Sequence, residues 1–354
     1  MLIESVLMIR IVLFFSILLS FLSLDCAVPT KEWVLVVGGA GFIGSSVNEM
    51  LYDEGYPTVV LDNLSTGNKA AVQHGIFIKG DMTDSETLHQ IFSKYPISAV
   101  MHFAGVKQVG ESISNPLKYY INNVSDTLTL LQEMKKHNVH FFIFSSSAAI
   151  YGLPLEEYVT EGHPKNPINP YGQSKLMVET ILQDLDRANY GFKYCSLRYF
   201  NAAGGDPKQR IKNCMQNEAS LIPVVLRSVQ GPAKTVTIFG TDYPTPDGTG
   251  IRDYVHIEDL ASAHIKALKR LLKGAPSACY NLGNGKGFSV REVIAAVEKV
   301  TGKKVQVVEG DRRIGDPPAM IASSKKAQEE LEWHPKHTDL VSIIQDAWNA
   351  MKVD

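Results

Sequence analysis

The chain has 354 residues, 45% apolar and 20% charged, so it can bury a sizeable core and is neither a disordered tail nor a fibre. Its 35 basic and 37 acidic side chains leave a net charge of −2. That argues against a broad phosphate-attracting face for nucleic acid, while a local basic pocket for one small anion stays open. Four cysteines (Cys26, Cys195, Cys214, Cys279) lie scattered with no C-x-x-C, so neither a disulfide framework nor a structural zinc site is expected.

Residues 1–27 differ in character from the rest of the chain. Residues 11–24, IVLFFSILLSFLSL, form an uncharged apolar run after Arg10, shorter than the roughly 20 residues of a membrane span. The run suits a signal-peptide core. It reads as a cleaved export signal, a short anchor, or upstream sequence translated ahead of a later start.

From Lys31 short β-branched runs alternate with longer amphipathic stretches. WVLVV (33–37), TVVLD (58–62), GIFIKG (75–80), AVMHF (99–103), HFFIFS (140–145) and KYCSLRYF (193–200) read as strands. Stretches 43–54, 84–94, 116–137 and 170–189 read as helices. Near-continuous apolar strands separated by helices predict an α/β fold with a doubly wound parallel sheet, covered on both faces. This nucleotide-binding domain is expected over 31–200. Beyond 201 the rhythm breaks into loops such as TDYPTPDGTG (241–250), so 201–354 is expected to be mainly a smaller substrate lobe, part of it returning to the sheet.

The first strand runs directly into Gly38-Gly-Ala-Gly41-Phe-Ile-Gly44 and then a helix. Glycines at this spacing let the backbone turn tightly, approach a pyrophosphate and pack helix on strand, while the helix N-terminus attracts the phosphate charge. Asp62 closes the second strand, 18 residues after Gly44. A carboxylate there can accept both hydroxyls of an adenosine ribose and would repel a 2′-phosphate, which favours NAD over NADP; a strand-end turn aspartate is the plainer alternative. Asp81 ends the third strand and Phe103-Ala104-Gly105 follows the fourth, both at the carboxyl edge where open α/β sheets bind ligands. For Asp81, an N-cap for helix 84–94 is nearly as good a reading.

Ser145, Ser146 and Ser147 end the fifth strand, and Tyr171-Gly-Gln-Ser-Lys175 opens the next long helix. Tyrosine and lysine at i and i+4 share a helix face, so an ammonium can sit beside the phenol and lower its pKa from about 10. A phenolate so poised can take a hydroxyl proton while a nicotinamide takes the hydride from the same carbon. The spacing is common by chance; its place after a serine-tipped strand makes it specific. One serine would donate to the reacting oxygen, and the other two are read as strand-end caps. The ten histidines show no metal-ligand spacing, and His102 and His256 read as buried hydrogen-bonding residues rather than ligands.

These motifs, with LDNLSTG (61–67), HFAGVKQVGES (102–112), YYINN (119–123), SSSAAIYG (145–152), NPYGQSK (169–175), LRYFNAAG (197–204), IFGTDYPTPDGTGIRDYVH (238–256), YNLGNGKG (280–287) and RRIGDPPA (312–319), resemble the UDP-glucose 4-epimerases, a family of extended short-chain dehydrogenase/reductases. The resemblance runs from about Trp33 to Trp348. It implies a Rossmann sheet, a tightly bound NAD and reversible C4 epimerisation of UDP-glucose and UDP-galactose through a 4-keto sugar. Tyr171, Lys175 and Ser147 would be catalytic. Gly38, Gly41, Phe42, Ile43, Gly44, Asp62, Asn63, Asp81, Met82, Phe103, Ala104, Lys107, Asn122 and Phe200 would contact NAD. Asn201, Leu221, Phe239, Arg252, Arg313 and Asp316 would hold the UDP-sugar, arginines being suited to a diphosphate. A homodimer and no metal are implied. A resident NAD favours a later start and a cytoplasmic location over export or anchoring, with no membrane partner beyond the leader.

The chain departs from the family pattern in places. Ala149 replaces a threonine, Ser220 stands where Asn or His is usual, and residues 205–217 lack an acidic turn. Met320 occupies the position whose bulk decides whether an N-acetyl group fits, and a sizeable, pliant methionine favours the plain hexose. The alternatives are an epimerase of UDP-N-acetylhexosamine or UDP-uronate, another nucleotide-sugar enzyme such as a 4,6-dehydratase, or a non-catalytic NAD sensor. Ser-Ala-Ala offers no acidic residue for dehydration, and a sensor would have lost the tyrosine or the lysine.

Overall fold

A computed structural model describes residues 31–351 except 212–214, 216–217, 233 and 314, so the apolar leader lies outside the described residues. In chain order the elements are β1 (Trp33–Val37), α1 (Phe42–Asp53), β2 (Thr58–Asp62), β3 (Ile76–Lys79), α2 (Ser85–Lys94), β4 (Ile97–His102), α3 (Val109–Ser114), α4 (Pro116–Tyr120), α5 (Asp126–Lys136), β5 (Phe141–Ser147), β6 (Tyr158–Val159) and α6 (Pro170–Arg187). The chain continues with β7 (Lys193–Tyr199), β8 (Asn201–Ala203), α7 (Leu221–Ser228), β9 (Val236–Phe239), β10 (Ile251–His256), α8 (Ile257–Leu272), β11 (Ala278–Leu282), β12 (Gly287–Ser289), α9 (Val290–Thr301), β13 (Val307–Gly310), β14 (Ala319–Ala322), α10 (Lys325–Leu331) and α11 (Leu340–Met351).

Seven strands in the order β11-β7-β5-β4-β1-β2-β3 form one wholly parallel sheet, which is the doubly wound class expected. Alternation along β1 shows why its residues are apolar throughout: Val34 and Val36 enter one core, Leu35 and Val37 the other, and all four are buried. The order reverses beside β1, so the carboxyl ends of β1 and β4 flank the crevice where such sheets take ligands. β11 pairs with β7 although it lies far beyond residue 201.

A second sheet, β12-β10-β14-β6 with β8 also on β10, and a short β9–β13 pair carry the later part of the chain. Their core gathers Ile222, Val225, Phe288, Val293, Ile343 and Trp348. The buried carboxylate of Asp253 ties this sheet together by accepting from the backbone N–H groups of Asn284, Gly285 and Ala322 at 2.6–3.0 Å. Burial outweighs those bonds and pushes the Asp253 carboxyl up to about 6.

Strand and helix limits fall within two residues of the sequence expectations except in one place. The single helix expected over 116–137 is α4 and α5 joined by a π-helical turn at Ile121–Ser125. The extra residue has an identifiable cause. Asn123 turns inward, donates to Val106 O (2.9 Å) and Ser174 Oγ (3.0 Å), and accepts from Val106 N (2.9 Å). Wide turns of this kind favour functional positions.

Candidate active site

The glycine turn after β1 explains two of its three spaced glycines by packing. A Cβ on Gly38 (φ +80°) would lie 2.5 Å from Ala104 N, and one on Gly44 would lie 2.4 Å from Gly38 O. Gly41 is different: its nearest neighbour would be Gly38 O at 3.4 Å, an ordinary contact. Gly41 is the N-cap of α1; no side chain caps that terminus and its first turn holds no acidic residue. The first N–H groups of α1 are therefore suited to an anion, as a dinucleotide's diphosphate requires. Phe42 and Ile43 turn their side chains into the cores, so the backbone is what they offer here.

Asp62 is buried, and its two carboxylate oxygens accept from Ala40 N (2.9 Å) and Leu64 N (2.8 Å). It thus clamps the glycine turn to the loop after β2, where Leu64 sits at φ +62°. Each oxygen keeps a second lone pair for a ribose hydroxyl. Asn63 donates to Asp81 at 2.7 Å, joining two expected cofactor residues. Asp81 lies two residues beyond β3 and is not the cap of α2. That cap is Asp84, which accepts from Glu86 N, while Asp81 accepts from Thr83 N. Met82 is buried in the core, Phe103 is partly buried with its ring centre 4.9 Å from that of His264, and the backbone of Ala104 lies against Gly38. Asn122 accepts from Val106 N (3.1 Å), and Lys107 pairs with Glu218 at 2.6 Å. His102 is buried with Nε2 2.9 Å from Thr127 Oγ1.

Ser147, Tyr171 and Lys175 meet where α6 lies on the tip of β5. Lys175 donates from Nζ to the Ser145 carbonyl at 2.9 Å and stands 4.9 Å from the centre of the Phe144 ring. Burial, and secondarily Lys107, pushes it down to about 8. The Tyr171 phenol does not behave as the spacing implied. Burial raises it above its ordinary value and the Ser147 side chain offsets part of that. The sequence expectation that Lys175 acidifies it is not met, because a lysine pushed down to about 8 has lost its charge before a phenol above 10 titrates. The serines also differ from expectation. Ser147 caps the turn Ala148–Tyr151 by accepting from Ala149 N, whereas Ser146 donates to Glu179 at 2.6 Å and caps nothing.

Several supporting residues escape a sequence reading. Glu179, one turn beyond Lys175, also accepts two bonds from the buried Arg198 (2.9 and 2.7 Å); Arg198 donates to Tyr151 Oη, which donates to Asn281. Tyr119 is buried with its ring edge-on to Tyr171, centres 6.4 Å apart, and its hydroxyl donates to Gln108 O at 2.6 Å with Glu111 Oε2 3.0 Å away. Glu179 follows the Y-x-x-x-K at a further four residues, which is the one signal that could have pointed to it.

The expected sugar-nucleotide residues sort into two contacts. Arg313 lies over the Phe239 ring, its guanidinium carbon 3.9 Å from the centre. Arg252 donates to Ile251 O (2.8 Å) and reaches Asp316 at 3.6 Å. Met320 sits opposite Arg252 across β10 and β14 and, like Phe200, packs on the cluster of Ala148, Ile150, Tyr151 and Val159. Asn201 donates to Asp253 O, and Leu221 opens α7 against the second core.

The chain matches the NAD dependent epimerase/dehydratase family over residues 34–283. It belongs to that family. A UDP-glucose 4-epimerase of Halalkalibacterium halodurans is 46% identical over 316 residues, 89% of this chain and 94% of that protein. A solved UDP-glucose 4-epimerase from Brucella ovis in complex with NAD is 44% identical with a TM-score of 0.86, covering 90% of this chain and 98% of that one. Another, from Bifidobacterium longum in complex with NAD+ and UDP, is 38% identical with a TM-score of 0.85 over the same shares.

For this family member the Glu179–Arg198 pair gives a direct test of how the site is held. Glu179→Gln leaves Arg198 buried beside a neutral partner, and chemical denaturation should register a loss of about 3–5 kcal/mol. A loss under about 0.5 kcal/mol, the scale of a surface change, would show that the pair does not hold the site.

Proposed function

We propose that this chain interconverts UDP-glucose and UDP-galactose by inverting C4, with NAD as its resident cofactor. The observation that carries the reading is the meeting of Tyr171, Lys175 and Ser147 at the sheet's carboxyl edge, in a chain that shares 46% identity with a UDP-glucose 4-epimerase. The glycine turn, the uncapped start of α1 and Asp62 fit the dinucleotide, with Asn63, Asp81, Met82, Phe103, Ala104, Lys107, Asn122 and Phe200 completing its site. When bound, NAD supplies the acceptor and donor of the C4 hydride.

Tyr171 is the group that takes and returns the proton of the 4-hydroxyl, and Ser147 donates to the same oxygen. Lys175 holds the start of α6 on β5 through Ser145. Arg252 and Arg313 grip the diphosphate, with Asn201, Leu221, Phe239 and Asp316 around it. The 3.6 Å Arg252–Asp316 contact is loose enough to yield to a ligand that offers bidentate oxygens. Anchoring by the diphosphate leaves the hexose free to turn, which inversion at C4 requires. Met320, opposite Arg252 in register, favours a sugar without an N-acetyl group.

We further propose that the chain works in the cytoplasm as a homodimer. Val109, Ile113, Leu117 and Ile121 are 40–70% exposed along α3, α4 and the π turn, and α3 and α4 both pack on α6. An apolar face of this kind is suited to a second copy.

The purified chain, with no added NAD, should convert UDP-galactose to UDP-glucose and turn over UDP-N-acetylgalactosamine poorly. Tyr171→Phe should cut kcat roughly a hundred- to ten-thousand-fold. Turnover of neither sugar refutes the reading, and equal turnover of both overturns the role of Met320. For the assembly, sedimentation should give a dimer that Leu117→Asp converts to monomer; a wild-type monomer contradicts it. Recovery from an export fraction would refute the cytoplasmic location.

A further inference from the structure

Among the described residues two groups bring three metal-ligating side chains within reach of one ion: His256, His337 and Asp346, and His89, Glu133 and His137. The first is already committed to other bonds. His256 Nδ1 accepts from Glu258 N as the N-cap of α8, so the neutral ring carries its hydrogen on Nε2, facing Asp346 at 3.5 Å. Binding a metal through Nε2 would require the ring to shift its hydrogen onto Nδ1 and lose the cap. His337 Nε2 is taken by Glu258 at 2.8 Å.

In the second group the two rings bond each other, so one ring must move its hydrogen to its other nitrogen, but no helix cap is lost by the move. Glu133 and His137 stand four residues apart at the end of α5, a spacing that puts both on one helix face. His89 comes from α2, which packs on α5. His89 Nδ1 and His137 Nε2 are 3.0 Å apart, and the three ligand atoms lie within 4.8 Å of one another. Two nitrogens bonded to one zinc ion at about 2.0–2.1 Å stand about 3.3 Å apart at the tetrahedral angle, so a small adjustment suffices. The Phe92 ring stacks on His137 (centres 5.5 Å, planes at 27°) and holds its orientation. The buried carboxylate of Glu133 lies beside the two rings. Lys136 holds Glu133 Oε1 at 2.6 Å, which leaves Oε2 for an ion. The C-terminal end of α5 also favours a cation.

We infer that His89, Glu133 and His137 bind one divalent transition-metal ion of the zinc class, with water as the fourth ligand, clasping α2 to the end of α5. The site is separate from the chemistry. His137 follows α5 just before β5 begins at Phe141, while Ser147 ends that strand, roughly 20 Å away. The ion would act on the stability of the fold by binding the folded chain alone.

The full chain, purified without a histidine tag and stripped with a chelator, is titrated with Zn2+ by calorimetry. One ion per chain is expected, with a rise in melting temperature on saturation. His89→Ala and His137→Ala should each weaken binding at least about tenfold and abolish the thermal shift, while UDP-galactose turnover stays at the wild-type level. His337→Ala should leave binding intact. His89 is exposed, so its variant is expected to fold, and an unchanged melting temperature without Zn2+ verifies that. No Zn2+ binding by the wild type, binding unchanged in the His89→Ala/His137→Ala double variant, or loss in His337→Ala instead, would each overturn the site.

Discussion

Helix α6 is held on the tip of β5 by contacts one turn apart. Lys175 donates to the Ser145 carbonyl, and Glu179 accepts from the Ser146 hydroxyl. Between them they fix where the Tyr171 ring can stand relative to Ser147, because a residue at the start of a helix moves with its first turns. The carboxylate of Glu179 is tied in turn to Arg198 on β7, so β5, α6 and β7 are locked by one fully buried set of charged hydrogen bonds. Such a set is costly to desolvate and is kept only when every member is satisfied. Here it lies directly beneath the residues proposed to do chemistry.

The same logic holds on the cofactor side. Gly38 lets β1 and the end of β4 approach backbone to backbone, and Asp62 fastens the turn to the loop beyond β2. The open face of Gly41 and the bare start of α1 are what remain. The later part of the chain reaches this edge through β8, which pairs with β10 and so carries Arg252 and the Asp253 clamp towards it. Two sheets with separate cores thereby contribute residues to one edge.

Much of this was legible in the sequence because it is local. Strand and helix limits follow from apolar periodicity, and the G-x-x-G-x-x-G turn and Y-x-x-x-K pair are short-range patterns with a mechanical reason. What the sequence hid depends on partners far along the chain. The π turn at 121–125 exists because Asn123 finds Val106 and Ser174, the latter 51 positions away. Asp81 is displaced from the cap of α2 because Asp84 is better placed, and Asp81 instead meets Asn63. Ser146 is indistinguishable from its neighbours in a run of three serines until Glu179 arrives from α6.

The proton affinity of Tyr171 is the sharpest case. Helical spacing correctly brings Lys175 to the same face, yet a lysine nitrogen has more than one acceptor to choose from, and the Ser145 carbonyl is at bonding distance. In the chain free of nucleotide, burial dominates and raises the phenol above its ordinary value, where Lys175, pushed down to about 8, is already neutral. Tyrosine ring-carbon NMR on the chain stripped of nucleotide, with Tyr171 assigned by its loss in Tyr171→Phe, measures this directly. The expected titration midpoint lies above the ordinary phenol value of about 10. A midpoint clearly below it would mean that Lys175 keeps its charge and governs the phenol after all.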